Sequence, residues 1–87
     1  MICLFVSKGC SSCRKLIKDI PSEWASEIAI LNVEYDRLQK KYYAYKDGIK
    51  IGEESPVLTV PTLCVFDTEE IYTGYSDIIR KLENGIR

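Results

Sequence analysis

ICLFVSKGCSSCRKLIKDI, from Ile2 to Ile20, decides the architecture, because its hydrophobic periodicity changes halfway along. Ile2 to Val6 is a β-rich apolar run that stops at Ser7, Lys8 and Gly9, residues that favour a turn, so it reads as a strand entering a loop. From Cys13 the apolar positions Cys13, Leu16, Ile17 and Ile20 fall at i, i+3, i+4 and i+7, leaving Arg14, Lys15, Lys18 and Asp19 for water. That is an amphipathic helix, beginning at Ser11 or Ser12 and yielding at Pro21. Two cysteines, Cys10 and Cys13, therefore stand at a strand-to-helix junction.

A CxxC pair in this position places its first thiol beside the unpaired N–H groups and the positive end of a helix. The thiolate is the reactive form, and such a site with nearby cations lowers a cysteine pKa from about 8.5 into the range of about 3.5 to 7.5. Lys8, Arg14 and Lys15 supply the cations. Cys10 comes first and is expected to be the more exposed, with Cys13 on the helix's apolar stripe. Those positions make Cys10 the attacking thiol and Cys13 the one that resolves a mixed disulfide. A four-cysteine zinc site would need a second convergent pair, and Cys3 and Cys64 instead lie singly inside apolar runs, where a free cysteine behaves as a small hydrophobe. They come close to each other only if the first and third strands pair. A purely structural bridge fits poorly, since so short a loop removes little unfolded-state entropy.

The chain of 87 residues, 46% of them hydrophobic, is expected to be one domain spanning residues 1–87. Its formal net charge of -1 points globally neither to nucleic acid nor to a membrane surface. Histidine is absent, which removes Cys/His catalytic pairs and mixed Cys/His zinc sites. The opening MICLFV is too short for a membrane span and carries no basic leader or small-residue cleavage site, so a cytoplasmic protein is expected.

Further along, Ser22 to Glu27 reads as a short helical turn capped by Ser22, with Trp24 covering part of the core, and Ile28 to Val33 as a second strand parallel to the first. Arg37 to Tyr45, rich in long and aromatic side chains, is expected to be helical and to end before the turn dipeptide Asp47-Gly48. IKIGEESPVL, from Ile49 to Leu58, reads as a loop or small hairpin. Thr62 to Phe66 and Glu70 to Thr73 form an antiparallel hairpin, and Ser76 caps a last helix that carries Ile78, Ile79 and Leu82 inward and stops at Gly85. The resulting fold class is α/β, a four-stranded mixed sheet flanked by helices.

TVPT, Thr59 to Thr62, places a proline just before the third strand. With ICLFVSKGCSSC ahead of it, TVPTLCVFD around it and GYSDI after it, in this order and over nearly the whole chain, the sequence resembles the thioredoxin superfamily and, within it, the glutaredoxins. The resemblance implies a thioredoxin-like fold with a cis Val60-Pro61 bond facing the site, where the Val60 backbone pairs with an extended substrate. It implies that Cys10 is the nucleophile and Cys13 its partner. It also implies glutathione as reductant and co-substrate, held by Lys8, Ser11, Ser12, Val60, Pro61, Gly74, Tyr75, Ser76 and Asp77, with no metal. In GYSDI the helix N–H groups at Ser76 and Asp77 would take the γ-glutamyl carboxylate and Asp77 the α-ammonium; the same two residues also read as an ordinary helix cap. Ser11-Ser12 stands where glutaredoxins usually carry Pro-Tyr and thioredoxins Gly-Pro, and Lys8 lies two residues before Cys10 where the family lysine lies three before.

The expected activity is thus dithiol exchange on disulfide-bearing proteins or glutathione mixed disulfides, ribonucleotide reductase among the partners the resemblance implies, by a monomer. The alternatives are a thioredoxin-type reductase fed by thioredoxin reductase, a non-catalytic binding module, and an iron-sulfur carrier bridged by Cys10 and glutathione. Tyr42, Tyr43 and Tyr45 among Lys40, Lys41 and Lys46 suggest base stacking against phosphates. Packing of these tyrosines on the sheet, with Glu34, Asp36 and Asp47 around the cations, is the stronger reading, so no nucleic-acid partner is expected.

Overall fold

The opening segment folds as its periodicity implies except at Ile17, expected on the apolar stripe of the helix and 40% exposed, because the buried arc of so short a helix is narrow enough to be filled by Cys13 and Leu16. In the computed structural model, which describes residues 2–51 and 59–85, β1 (Ile2–Val6) leads through a loop into α1 (Ser11–Asp19). The short α2 (Ser22–Ala25) follows, then β2 (Ile28–Asp36), which pairs in parallel with β1 from Ile2↔Ile28 to Val6↔Asn32. Pro21, not Ser22, occupies the N-cap of α2, and no side chain caps it.

The segment expected to be a helix over Arg37 to Tyr45 is a strand. β3 (Lys41–Lys46) runs antiparallel to β2, from Asn32↔Tyr45 to Asp36↔Lys41. Asp36 turns the chain, its Oδ1 accepting the N–H groups of Leu38 at 2.9 Å and Gln39 at 3.1 Å, with Lys40 at φ 56° completing the reversal. Asp47 and Gly48, at φ 54° and 82°, then form a two-residue turn into β4 (Ile49–Ile51). Positive φ at both central residues matches the right-handed twist of a hairpin, and glycine accepts it without steric cost. β4 pairs back on β3, so residues 49–51 are the second strand of a β3–β4 hairpin and not part of a loop or hairpin confined to 49–58; the rest of that expected segment, residues 52–58, lies outside the described residues.

β5 (Thr62–Val65) and β6 (Glu70–Thr73) form the expected antiparallel hairpin, and α3 (Tyr75–Asn84) ends at Gly85. The sheet is six-stranded rather than four-stranded, in the order β4-β3-β2-β1-β5-β6. The four strands read from the sequence occupy its contiguous part β2-β1-β5-β6, and the unread β3–β4 hairpin extends the β2 edge.

Alternation along β1 divides the core. Leu4, Val6, Ile28 and Leu63 meet Cys13 and Leu16 of α1, Trp24 of α2 and Ile78 and Leu82 of α3 in one cluster. Cys3, Phe5, Leu31, Val33, Ala44 and Cys64 form a second cluster on the opposite face. Among the described residues all three helices contribute to the first cluster and none to the second. Leu4, Leu16, Leu63 and Ile78 are wholly buried, each burial contributing about 1.5–3 kcal/mol. Trp24 is fixed by its Nε1–H, which donates to the Leu82 carbonyl at 3.0 Å and ties α2 to α3.

Candidate active site

Pairing direction brings the three motifs to one end of the sheet. β5 runs antiparallel to β1 and β6 antiparallel to β5, so the end of β1, the start of β5 and the end of β6 lie side by side. Cys10 follows the first, Pro61 precedes the second and Gly74 follows the third. The register Phe5↔Thr62 puts Pro61 one position further on, beside Val6.

Cys10 is the N-cap of α1, with extended backbone at φ -96° and ψ 105°. Its Sγ accepts the backbone N–H of Cys13 at 3.1 Å and lies 3.3 Å from the Ser12 hydroxyl. Cysteine here does the work that serine or aspartate does at other helix starts, directing a helix N–H onto a side-chain acceptor. Cys10 and Cys13 form a disulfide with their Cα atoms 5.2 Å apart. Cys13 is 1% exposed and packs with Leu16 in the helix-side core, whereas Cys10 is half-buried at its rim, the order of exposure expected from the helix stripe. Ser11 and Ser12 are exposed.

The Val60-Pro61 bond is cis. Pro61 is buried, and its carbonyl accepts the Gly74 N–H at 3.0 Å, a direct link between the proline loop and the turn into α3. Thr62, also buried, donates its hydroxyl to the Thr59 carbonyl at 2.6 Å and closes the loop from within. Val60 is half-buried against both core clusters, and it shares the helix-side one with Cys10.

Gly74, at φ 84°, is the N-cap of α3, and no side chain supplies a capping hydrogen bond. The expected cap at Ser76 is therefore not formed: α3 starts at Tyr75, and Ser76 and Asp77 lie inside its exposed first turn. The first N–H groups of a helix have no intrahelical partner, which leaves this end able to receive an anion. Asp77 lines a surface cavity of about 310 Å³ with Tyr72, Arg80, Lys81 and Asn84. In its wall Lys81 Nζ lies 3.6 Å from Glu70 Oε2, and the Tyr72 hydroxyl donates to the same carboxylate, which holds Glu70 below the usual carboxylate range.

Two expected site residues are placed in ways their positions did not suggest. Lys8 is exposed, and its carbonyl accepts Arg14 Nη1 at 2.9 Å, so Arg14 pins the loop ahead of Cys10. Tyr75 donates its hydroxyl to Asp19, and Lys15 Nζ sits 4.8 Å above its ring. Asp19 ends α1, about 13 Å along the helix from Cys10 at about 1.5 Å per residue, so Tyr75 joins α1 to α3 at the end remote from the cysteines. The hydrogen bond to Asp19, then burial, pushes the Tyr75 hydroxyl above its ordinary pKa. The sequence marks Arg14 only as a cation and Thr62 only as a strand residue; nothing local in it distinguishes a guanidinium that returns to a carbonyl from one that points to water.

No helix among the described residues is long and apolar enough to cross a membrane. The tyrosines of the Lys/Tyr cluster pack as part of a strand, not of a helix: Tyr43 is buried with Lys50 Nζ 4.0 Å over its ring, and Tyr42 meets Tyr35 across strands in a tilted contact, ring centroids 4.9 Å apart. No family model matches the chain, and no curated protein or solved structure matches it significantly.

Proposed function

We propose that this chain is a glutaredoxin-like thiol-disulfide oxidoreductase that reduces protein or glutathione mixed disulfides through Cys10 and Cys13. The observation that carries the reading is the Cys10–Cys13 disulfide at the N-terminus of α1, where the Cys13 N–H is directed at Cys10 Sγ. A hydrogen bond to sulfur and the positive helix end both favour a thiolate over a thiol at Cys10. The cis Val60-Pro61 bond beside it, as the family resemblance implies, adds a backbone edge for an extended substrate.

In the reduced enzyme the Cys10 thiolate attacks one sulfur of a substrate disulfide. A Cys10–substrate S–S bond forms and the other substrate sulfur leaves as a thiolate, which takes a proton from solvent. Cys13 then loses its proton and attacks Cys10 Sγ, expelling the second substrate thiol and closing the Cys10–Cys13 disulfide. Two glutathione molecules return the dithiol, the first forming a mixed disulfide with Cys10 and the second attacking it to leave as glutathione disulfide. Ser76 and Asp77, in the uncapped first turn of α3, receive the γ-glutamyl carboxylate and ammonium in this reading, with Lys8, Ser11, Ser12 and Gly74 around the same end; the Tyr75 hydroxyl is instead engaged with Asp19. A reducing cytoplasm is the compartment that suits the cycle.

A glutathione-coupled disulfide assay on the wild type, Cys10→Ser and Cys13→Ser tests the proposal. Activity is expected to vanish in Cys10→Ser; activity surviving there would sink the mechanism. Turnover retained in Cys13→Ser on glutathione mixed disulfides, with loss on protein disulfides, would assign the glutathione route to Cys10 alone. Supplying thioredoxin reductase in place of glutathione identifies the electron source.

A further inference from the structure

We infer that Cys3 and Cys64 form a second dithiol, independent of Cys10 and Cys13, that closes into a cross-strand disulfide when oxidised by a low-molecular-weight disulfide. The two residues are direct partners in the β1–β5 ladder and are free thiols in the same core cluster, on the sheet face away from the helices. Side chains directly opposite in an antiparallel pair have Cβ atoms about 4.5–5.5 Å apart, against about 3.5–4.5 Å in a disulfide. Their Cα separation, about 4.5 or 5.5 Å depending on the type of pair, already lies within the range a disulfide spans. Closure therefore asks for a small side-chain and strand adjustment, not a rearrangement of the fold.

Access comes from the β6 side. Cys64 lines a cavity of about 270 Å³ together with Val65, Phe66, Glu69, Glu70 and Ile71. Ile71, the β6 partner of Cys64, is 67% exposed, and Phe66 at the hairpin is 52% exposed. Burial pushes both thiols above the ordinary cysteine pKa, and Cys3 raises Cys64 further. The resting pair is thus two protonated thiols that exchange slowly. Cys64, deprotonated during an opening of this edge, attacks the reagent disulfide and releases one small thiol. Cys3 then loses its proton and attacks Cys64 Sγ, releasing the second small thiol. Two protein thiols are oxidised, one disulfide forms, and the reagent leaves as two thiols. Cys13 lies in the helix-side cluster and Cys3 and Cys64 in the other, so the sheet separates the two dithiols and no direct exchange between them is needed.

The full-length Cys10→Ser/Cys13→Ser double variant isolates the second pair and makes the outcome independent of the proposed oxidoreductase activity. It is incubated with excess glutathione disulfide, denatured in an alkylating reagent and weighed by mass spectrometry. The expected product is monomeric, two hydrogens lighter than the reduced protein, unalkylated and returned to the dithiol by reductant. Adding Cys64→Ser should abolish it. Two alkylatable thiols remaining, two attached glutathiones, or a disulfide-linked dimer would overturn the proposal. Should the double variant fail to fold, wild-type protein serves: tryptic cleavage after Lys8 and Arg14 separates Cys3 from the Cys10–Cys13 peptide, and a Cys3 peptide linked to the Cys64 peptide is the expected species. Absence of that link after oxidation would overturn the inference equally.

Discussion

Adjacent residues of α1 offer a sharp test of how the cysteines are presented. Leu16 is 0% exposed and Ile17 40% exposed. Leu16→Ala removes three apolar carbons, about 2.4 kcal/mol at about 0.8 kcal/mol each. The cavity left where α1 meets Leu4 and Leu63 raises this to about 3–4 kcal/mol. Ile17→Ala, at a site open to water that relaxes easily, should cost under about 1.5 kcal/mol. A chain of 87 residues at about 0.05–0.15 kcal/mol per residue has about 4–13 kcal/mol in hand, so the first change removes a large share and the second does not. Urea denaturation of the reduced proteins should place the Leu16→Ala midpoint about 3 M below wild type and the Ile17→Ala midpoint about 1 M below, for a slope near 1 kcal/mol/M. If Leu16→Ala does not fold, Leu16→Val and Ile17→Val make the same comparison at a smaller scale. Equal losses at the two positions would refute the reasoning: α1 would be turned about its axis, and Cys13 would no longer be the buried partner of a rim-placed Cys10.

Two further outcomes follow from the turns and from α3. Gly48→Ala should destabilise the protein by about 1–2 kcal/mol in the same denaturation assay, because alanine is strained in the left-handed region; the φ of 82° is the whole cause, since a Cβ there would meet nothing within 4 Å. Tyr75 is raised from an ordinary value of 10.0 by Asp19, so its stabilisation is fully present below that value and is lost as pH rises through the higher pKa of the folded state. A tyrosinate absorbance titration should show a late-titrating hydroxyl in the wild type that is lost in Tyr75→Phe, whose stability should lack that alkaline decline; identical late titration in the two would contradict the Asp19 contact.

The parts legible from sequence are those where one periodicity had no rival. Cys13, Leu16, Ile78 and Leu82 entered the core on the helix faces their spacing implies, while Ile17 of the same stripe is exposed. The stretch after Asp36 misled because KYYAYK contains long lysines that suit a helix and tyrosines that suit a strand. The deciding signal was the Asp47-Gly48 dipeptide, which ends a helix less specifically than it joins two strands. IKI after it is the strand partner of the tyrosine run, and the two together are the sequence signature of the hairpin. At the site, the cysteine pair was legible and the cis proline followed only from the family resemblance, whereas α3 is capped two residues before the expected Ser76, at Gly74. Gly74 turns from sheet to helix with positive φ and leaves Ser76 nothing to cap. The Tyr75–Asp19 contact joins residues of two helices, and no local pattern encodes it.

One strand pairing governs both sulfur pairs. In the observed β1–β5 register Cys3 opposes Cys64 and Phe5 opposes Thr62, which sets Pro61 beside Val6 at the end where Cys10 emerges. A slip of one residue would turn β5 over, moving Leu63 out of the helix-side core and Cys64 toward the helices. It would also shift Pro61 along β1 and carry Gly74 with it through their hydrogen bond. Both faces of β5 are buried, Leu63 at 0% exposure on one side and Cys64 at 7% on the other, so the core itself opposes the slip. The placement of the proline loop against the CxxC is therefore inherited from apolar packing in the strands, not from contacts within the site. For that reason a disulfide between Cys3 and Cys64, closing a loop of about 60 residues and removing about 4 kcal/mol of unfolded-state freedom on the chain-entropy account, would fasten the same register that aligns the site on the far side of the sheet.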